Sequence, residues 1–189
     1  MVAPAVAFDW TNLPYDTEVT VISGNAVTSG AYFDLYIGND IHPTWCADTA
    51  TIVNSVPYQA NLSTTIGAGE EWNKINWVLN NKGNTPVHQI QAAIWTIRGQ
   101  TLRWDRVAWY TNVAEQLVNE AEAHGDFIPE CGQIGAVLVK PCVGVYQDTI
   151  FEVQTPECIP EPVPEFPTMM IPVFLVGSLM VAASVLKKE

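Results

Sequence analysis

Basic residues are scarce in this chain. Eight Lys and Arg stand against 20 Asp and Glu, a formal net charge of −12 over 189 residues. A body this acidic repels phosphate, which excludes a nucleic-acid partner. Charged residues make up only 15% of the whole, a share that suits an exported protein better than a cytosolic one. Walker A loops, dinucleotide-type glycine fingerprints, HExxH helices and Asp-rich calcium loops are all missing. Phosphate-cofactor, zincin and EF-hand chemistry therefore have no footing, and no cofactor is expected. Histidine is limited to His42, His88 and His124, without the paired spacing of a zinc site. There is no internal repeat. What the chain does have is apolar bulk: 48% hydrophobic residues and seven Trp, which excludes disorder over most of its length.

The two ends differ from the middle. Residues 166–186 carry no charge and are followed at once by Lys187 and Lys188. At about 1.5 Å per residue such a segment spans roughly the 30 Å of a bilayer's hydrocarbon core, and the basic pair is the usual cytoplasmic flank. A transmembrane helix with its basic tail is expected over 168–189, the alternative being a buried C-terminal helix. Residues 155–167 are proline-rich and read as an extended stalk. Ala5-Val6-Ala7 resembles a signal-peptidase site, so residues 1–7 read as the tail of a signal peptide or as an ordinary strand.

In the body, residues 8–154, Thr17–Ser23 and Ser29–Ile37 are rich in β-branched and aromatic residues and bounded by glycine turns, which predicts a hairpin. Thr44–Asp48 and Val56–Thr64 predict two more strands. Helical spacing follows over Glu70–Asn80, over Pro86–Ile97 with Pro86 at its first position, and over Tyr110–His124. In the third helix Val113, Leu117 and Ala121 are expected inward and Gly125 caps the end. Gln133–Lys140 and Thr149–Gln154 return to strand periodicity. The fold class is α+β: sandwich- or barrel-like strands with an inserted three-helix segment, then the stalk and the membrane helix.

Two resemblances add to this reading. Pro164-Glu165-Phe166, an apolar span and a basic end in that order resemble the PEF-CTERM sorting signal of archaeal surface proteins. That resemblance implies an archaeal cell surface, and an archaeosortase-type membrane enzyme as processing partner. Trp45-Cys46, then Trp77-Val78-Leu79-Asn80-Asn81, then Gln91-Ala92-Ala93-Ile94-Trp95 resemble the thioester domains of surface adhesins. What that resemblance implies is an internal thioester between Cys46 and Gln91, shielded by Trp45, Trp77 and Trp95, that captures an amine on a surface partner. A protein of this kind is a one-shot fastener and not an enzyme. Two alternatives stay open: an envelope module of the same fold without the bond, and a thiol hydrolase or transpeptidase pairing Cys46 with His42 or His88.

With Cys46 so assigned, Cys131 and Cys142 bracket a strand and are the expected disulfide, with Cys142–Cys158 as runner-up. Asn61-Leu62-Ser63 is the one N-glycosylation sequon.

Overall fold

The structure, a computed structural model, describes residues 13–14, 16–22, 31–50, 55–102, 107–144 and 146–156. The signal-peptide segment, Cys158, most of the stalk with Pro164, Glu165 and Phe166, and the expected membrane helix lie outside the described residues. Among the described residues, no helix is long and apolar enough to cross a membrane.

Six strands form a closed antiparallel barrel: β1 Thr17–Ile22, β2 Phe33–Ile37, β3 Asp40–Cys46, β4 Tyr58–Thr64, β5 Ile134–Pro141 and β6 Thr149–Gln154, in the order β1-β2-β3-β6-β5-β4. The hairpin expected from the first two segments is present, with Val19 opposite Ile37 and Val21 opposite Leu35. Between β4 and β5, which are neighbours in the barrel, the chain leaves to form α1 Glu70–Asn81, α2 Val87–Ile97, a short 3-10 turn Val107–Trp109 and α3 Asn112–Glu122. The α+β class with an inserted helical segment is therefore the architecture observed.

Strand alternation splits the interior in two. Val19, Val21, Leu35, Cys46, Ala60, Leu62, Val137, Val139 and Phe151 fill the barrel. Their sequence neighbours Trp45, Ala136 and Ile150 join Ile75, Val78, Leu79, Ile90, Ile94, Leu117 and Ala121 in a second core between the sheet and the helices. A period of two sends adjacent strand residues to opposite faces, so Trp45 serves one core and Cys46 the other.

Some element ends differ from expectation. Pro86 precedes α2 as its cap, with ψ 137, one residue earlier than read from the sequence. α3 starts after Thr111, whose side-chain oxygen accepts from Val113 N. Val113 is exposed, and Ala114 takes the inward place, giving the buried series Ala114, Leu117, Val118 and Ala121. The α3 cap is Ala123. Gly125 instead lies against α1, where an added Cβ would meet Glu70 Cγ at 2.6 Å, and its carbonyl accepts from Asn73 Nδ2.

Candidate functional site

The site forms where β3 ends beside the start of β6. Cys46 and Thr149 are register partners, and the Ala47 N–H donates to the Asp148 carbonyl at 2.9 Å. Helix α2 lies beside this junction. Ile90 through Trp95 are all buried, so the helix is embedded on every side and not along one stripe alone. That is why Gln91, off the Ile90/Ile94 stripe, is 0% exposed.

The Gln91 carboxamide is held at two points by one residue. Its Oε1 accepts from the Cys46 N–H at 2.8 Å, and its Nε2 donates to the Cys46 carbonyl at 2.8 Å. A primary amide bonded through both ends to a single backbone unit has no freedom to turn. Its carbonyl carbon is fixed beside the residue that carries the thiol. Cys46 is 2% exposed and is not in a disulfide. The N–H on Oε1 polarises the amide carbonyl in the sense that stabilises a developing oxyanion.

The segment after Cys46 is tied to α2 and to the turn before β6. Trp95 Nε1 donates to the Asp48 carbonyl at 2.7 Å, and Gln147 Nε2 donates to the same oxygen. Arg98 Nε donates to the Ala47 carbonyl at 3.3 Å. Arg98 also pairs with Glu71 and covers the Trp72 ring at 4.4 Å. The Asp48 carboxylate accepts from Ala50 N at 2.8 Å and Asp148 N at 3.0 Å. The Asp148 carboxyl titrates above the ordinary carboxylate range, first because it is partly buried and then because Asp48 is close.

Two of the three expected tryptophans flank the pair. Trp45 is fully buried next to Cys46, and its Nε1 donates to Glu152 Oε1 at 2.7 Å. Lys82 pairs with the same carboxylate and lies 5.3 Å from the Trp45 ring centre. Trp95 packs in the barrel core with Cys46 and stacks on Trp109 at 6.0 Å. Trp77 belongs to the helical core, its ring stacked on His124 at 4.7 Å. His42 packs on Phe151 and is held below its ordinary pKa chiefly by burial; His88 lies on the edge of Trp109.

One expectation about the cysteines is corrected. Cys142 is a free, exposed thiol just past β5, so it does not bridge to Cys131. Cys131 is itself disulfide-bonded. The turn at Gly132, with φ 76, leads into β5, whose extended run carries the chain away from Cys131 before Cys142 is reached. Asn61 is exposed on β4, its Oδ1 accepting from Asp16 N at 3.2 Å.

The residues that hold the segment after Cys46 were not singled out from the sequence: Asp48, Arg98, Gln147 and Asp148. Asp48 sits two residues past Cys46 and Arg98 seven past Gln91, so proximity to the motifs could have flagged them. Nothing in the sequence ties the 147–149 segment to Cys46.

No family model and no curated protein matches the chain. Among solved structures, the fold is similar to the N-terminal domain of the Streptococcus pyogenes pilus tip adhesin Cpa, at 12% identity and TM-score 0.49, over 75% of this chain and 95% of that one. It is also similar to the N-terminal thioester domain of fibronectin-binding protein SfbI from Streptococcus pyogenes, at 14% identity and TM-score 0.46, over 80% and 100% of the two chains. A third is the N-terminal thioester domain of a surface protein from Clostridium perfringens, at 14% identity and TM-score 0.46, over 72% and 97%.

Proposed function

We propose that this protein is a surface attachment module whose Cys46 and Gln91 form an internal thioester. The observation that carries the reading is the two-point grip of the Cys46 backbone on the Gln91 carboxamide inside a site closed to solvent. Sulfur adds to Gln91 Cδ, the C–N bond breaks, the thiol proton goes to nitrogen, and ammonia leaves. A primary amine on a partner then displaces the sulfur, giving an amide to the partner and restoring the thiol. Fixed geometry supplies what an unactivated amide lacks as an electrophile, and burial excludes the water that would hydrolyse the product.

The test is capture of methylamine by the purified full chain. Cys46→Ala and Gln91→Ala are each expected to abolish it, whereas Cys142→Ala, which removes the exposed thiol, leaves it intact. Capture that survives Gln91→Ala would overturn the thioester and leave the envelope module without the bond as the better reading.

The acidic body, the proline-rich stretch and the apolar end with its Lys187-Lys188 flank support export and anchoring at the cell surface, with an archaeosortase-type enzyme acting at Pro164-Glu165-Phe166. In intact cells the body is expected to be cleaved by added protease. The mature protein is expected to lack Lys187 and Lys188 unless the three signal residues are replaced by alanine. Retention of the basic pair in the wild type would contradict sorting and leave a plain membrane anchor.

A further inference from the structure

Thr149 is fully buried; its Oγ1 makes no hydrogen bond of good geometry and interacts with the Tyr58 hydroxyl. Valine would fill the same volume without desolvating a hydroxyl. The hydroxyl stands at a particular place. Thr149 is the register partner of Cys46 across β3 and β6. Directly opposed residues of an antiparallel pair project to the same face, with Cβ atoms about 4.5–5.5 Å apart. The Thr149 side chain therefore stands beside the Cys46 side chain on the barrel face. The Tyr58 hydroxyl, in the barrel core with Cys46, meets the Thr149 side chain. Burial pushes Tyr58 up to about 12, so the phenol stays protonated at neutral pH and does not serve as a base.

We propose that Thr149 is the proton relay of the Cys46–Gln91 reaction, an inference that rests on the thioester reading above. As Sγ attacks Gln91 Cδ, the Thr149 hydroxyl takes up the thiol proton and gives its own to the departing Gln91 nitrogen. The S–H and C–N bonds are lost, the S–C and N–H bonds are made, and neutral ammonia leaves with threonine unchanged. When a partner amine later displaces sulfur, the same hydroxyl carries the surplus amine proton back to Sγ. Such contacts are commonly long before reaction and tighten only as it proceeds.

The experiment compares wild type, Thr149→Val and Thr149→Ser full chains for the ammonia-sized mass deficit and for the rate of methylamine addition, with melting temperature as a fold check. Positioned proton transfer is worth roughly 10²–10⁴-fold in rate. Thr149→Val is expected to lose the deficit or to slow methylamine addition by that order, while Thr149→Ser, which keeps the hydroxyl and loses the methyl, stays within about tenfold of wild type. A residue needed only for packing would show the reverse order, since valine preserves the shape and serine does not. The relay is overturned if Thr149→Val reacts like wild type, or if serine is as slow as valine. Should the valine variant not fold, Thr149→Ala against Thr149→Ser makes the same comparison. A wild-type chain without any deficit overturns the thioester, and the relay with it.

Discussion

Gln91 is a buried polar side chain whose two amide atoms both have partners on Cys46, and this decides how its substitutions behave. Gln91→Glu looks conservative from the sequence alone, where it reads as a variant that folds normally and fails only in chemistry. The structure changes that expectation. The replaced nitrogen donates to a carbonyl, so a carboxylate there would face another oxygen in a site with no solvent. Leaving a buried acceptor unmatched costs about 1–3 kcal/mol, and more when charge is involved. Gln91→Glu is therefore expected to melt well below wild type at pH 7 and to recover as the pH is lowered and the carboxyl protonates. A full wild-type melting temperature at pH 7 would contradict the observed grip. Asp148 gives a second pH-dependent expectation. Its folded carboxyl holds its proton more tightly than the unfolded one, so its contribution is favourable below the ordinary carboxylate range and is lost as pH rises through the raised value. Asp148→Asn is expected to melt above wild type at neutral pH, with the gap closing as the pH falls toward the ordinary carboxylate range. Both Cys46 and Gln91 were visible in the sequence because an aromatic-Cys pair and a Gln-x-Ala-Ile-Trp helix are distinctive. Thr149 and Asp148 were not, because their place beside Cys46 follows from pairing across about a hundred residues of chain.

At the scale of elements, α1 is attached to the barrel by asparagines as well as by apolar packing. Asn80 Oδ1 accepts from Ile134 N at 2.8 Å, and Asn80 Nδ2 donates to Ile134 O at 2.7 Å. Asn76 Oδ1 accepts from Ala136 N at 2.9 Å and its amide meets the buried Thr65 hydroxyl. These side chains satisfy β5 backbone groups that would otherwise be buried without partners. Asn76→Leu and Asn80→Leu are each expected to destabilise the fold by about 2–4 kcal/mol, read by urea unfolding, since each leaves one or two buried backbone groups unpaired. A change under about 0.5 kcal/mol, the ordinary range for surface substitutions, would contradict the clamp. The helices were legible because apolar spacing over 70–80 and 86–97 is strong. The asparagines read only as part of a Leu-Asn-Asn run, since helical periodicity does not reveal that a polar residue is paired to a strand. β3 begins at Asp40, earlier than expected, because the turn at Gly38-Asn39 is tight enough for Ile41 and His42 to pair at once with Tyr36 and Leu35.

For the whole molecule, the sequence conveyed the class and the insertion of helices between strands, but not closure. Closure depends on β1 pairing with β4 and β3 with β6, contacts between segments that are distant in sequence. It leaves the barrel no open strand edge and fixes the end of β3 against α2. A thioester there would close a loop of 45 residues, restricting the unfolded chain by an entropy worth about 4 kcal/mol. Cys46→Ala is thus expected to lower the melting temperature as well as remove the chemistry. The most direct measurement is the intact mass of the purified wild-type chain, set against its sequence mass after allowance for the disulfide at Cys131. A deficit of one ammonia, about 17 Da, is expected, and methylamine treatment then adds one amine to that form and exposes one titratable thiol at Cys46. A chain at full mass, with Gln91 an intact amide and no methylamine taken up, would contradict the thioester.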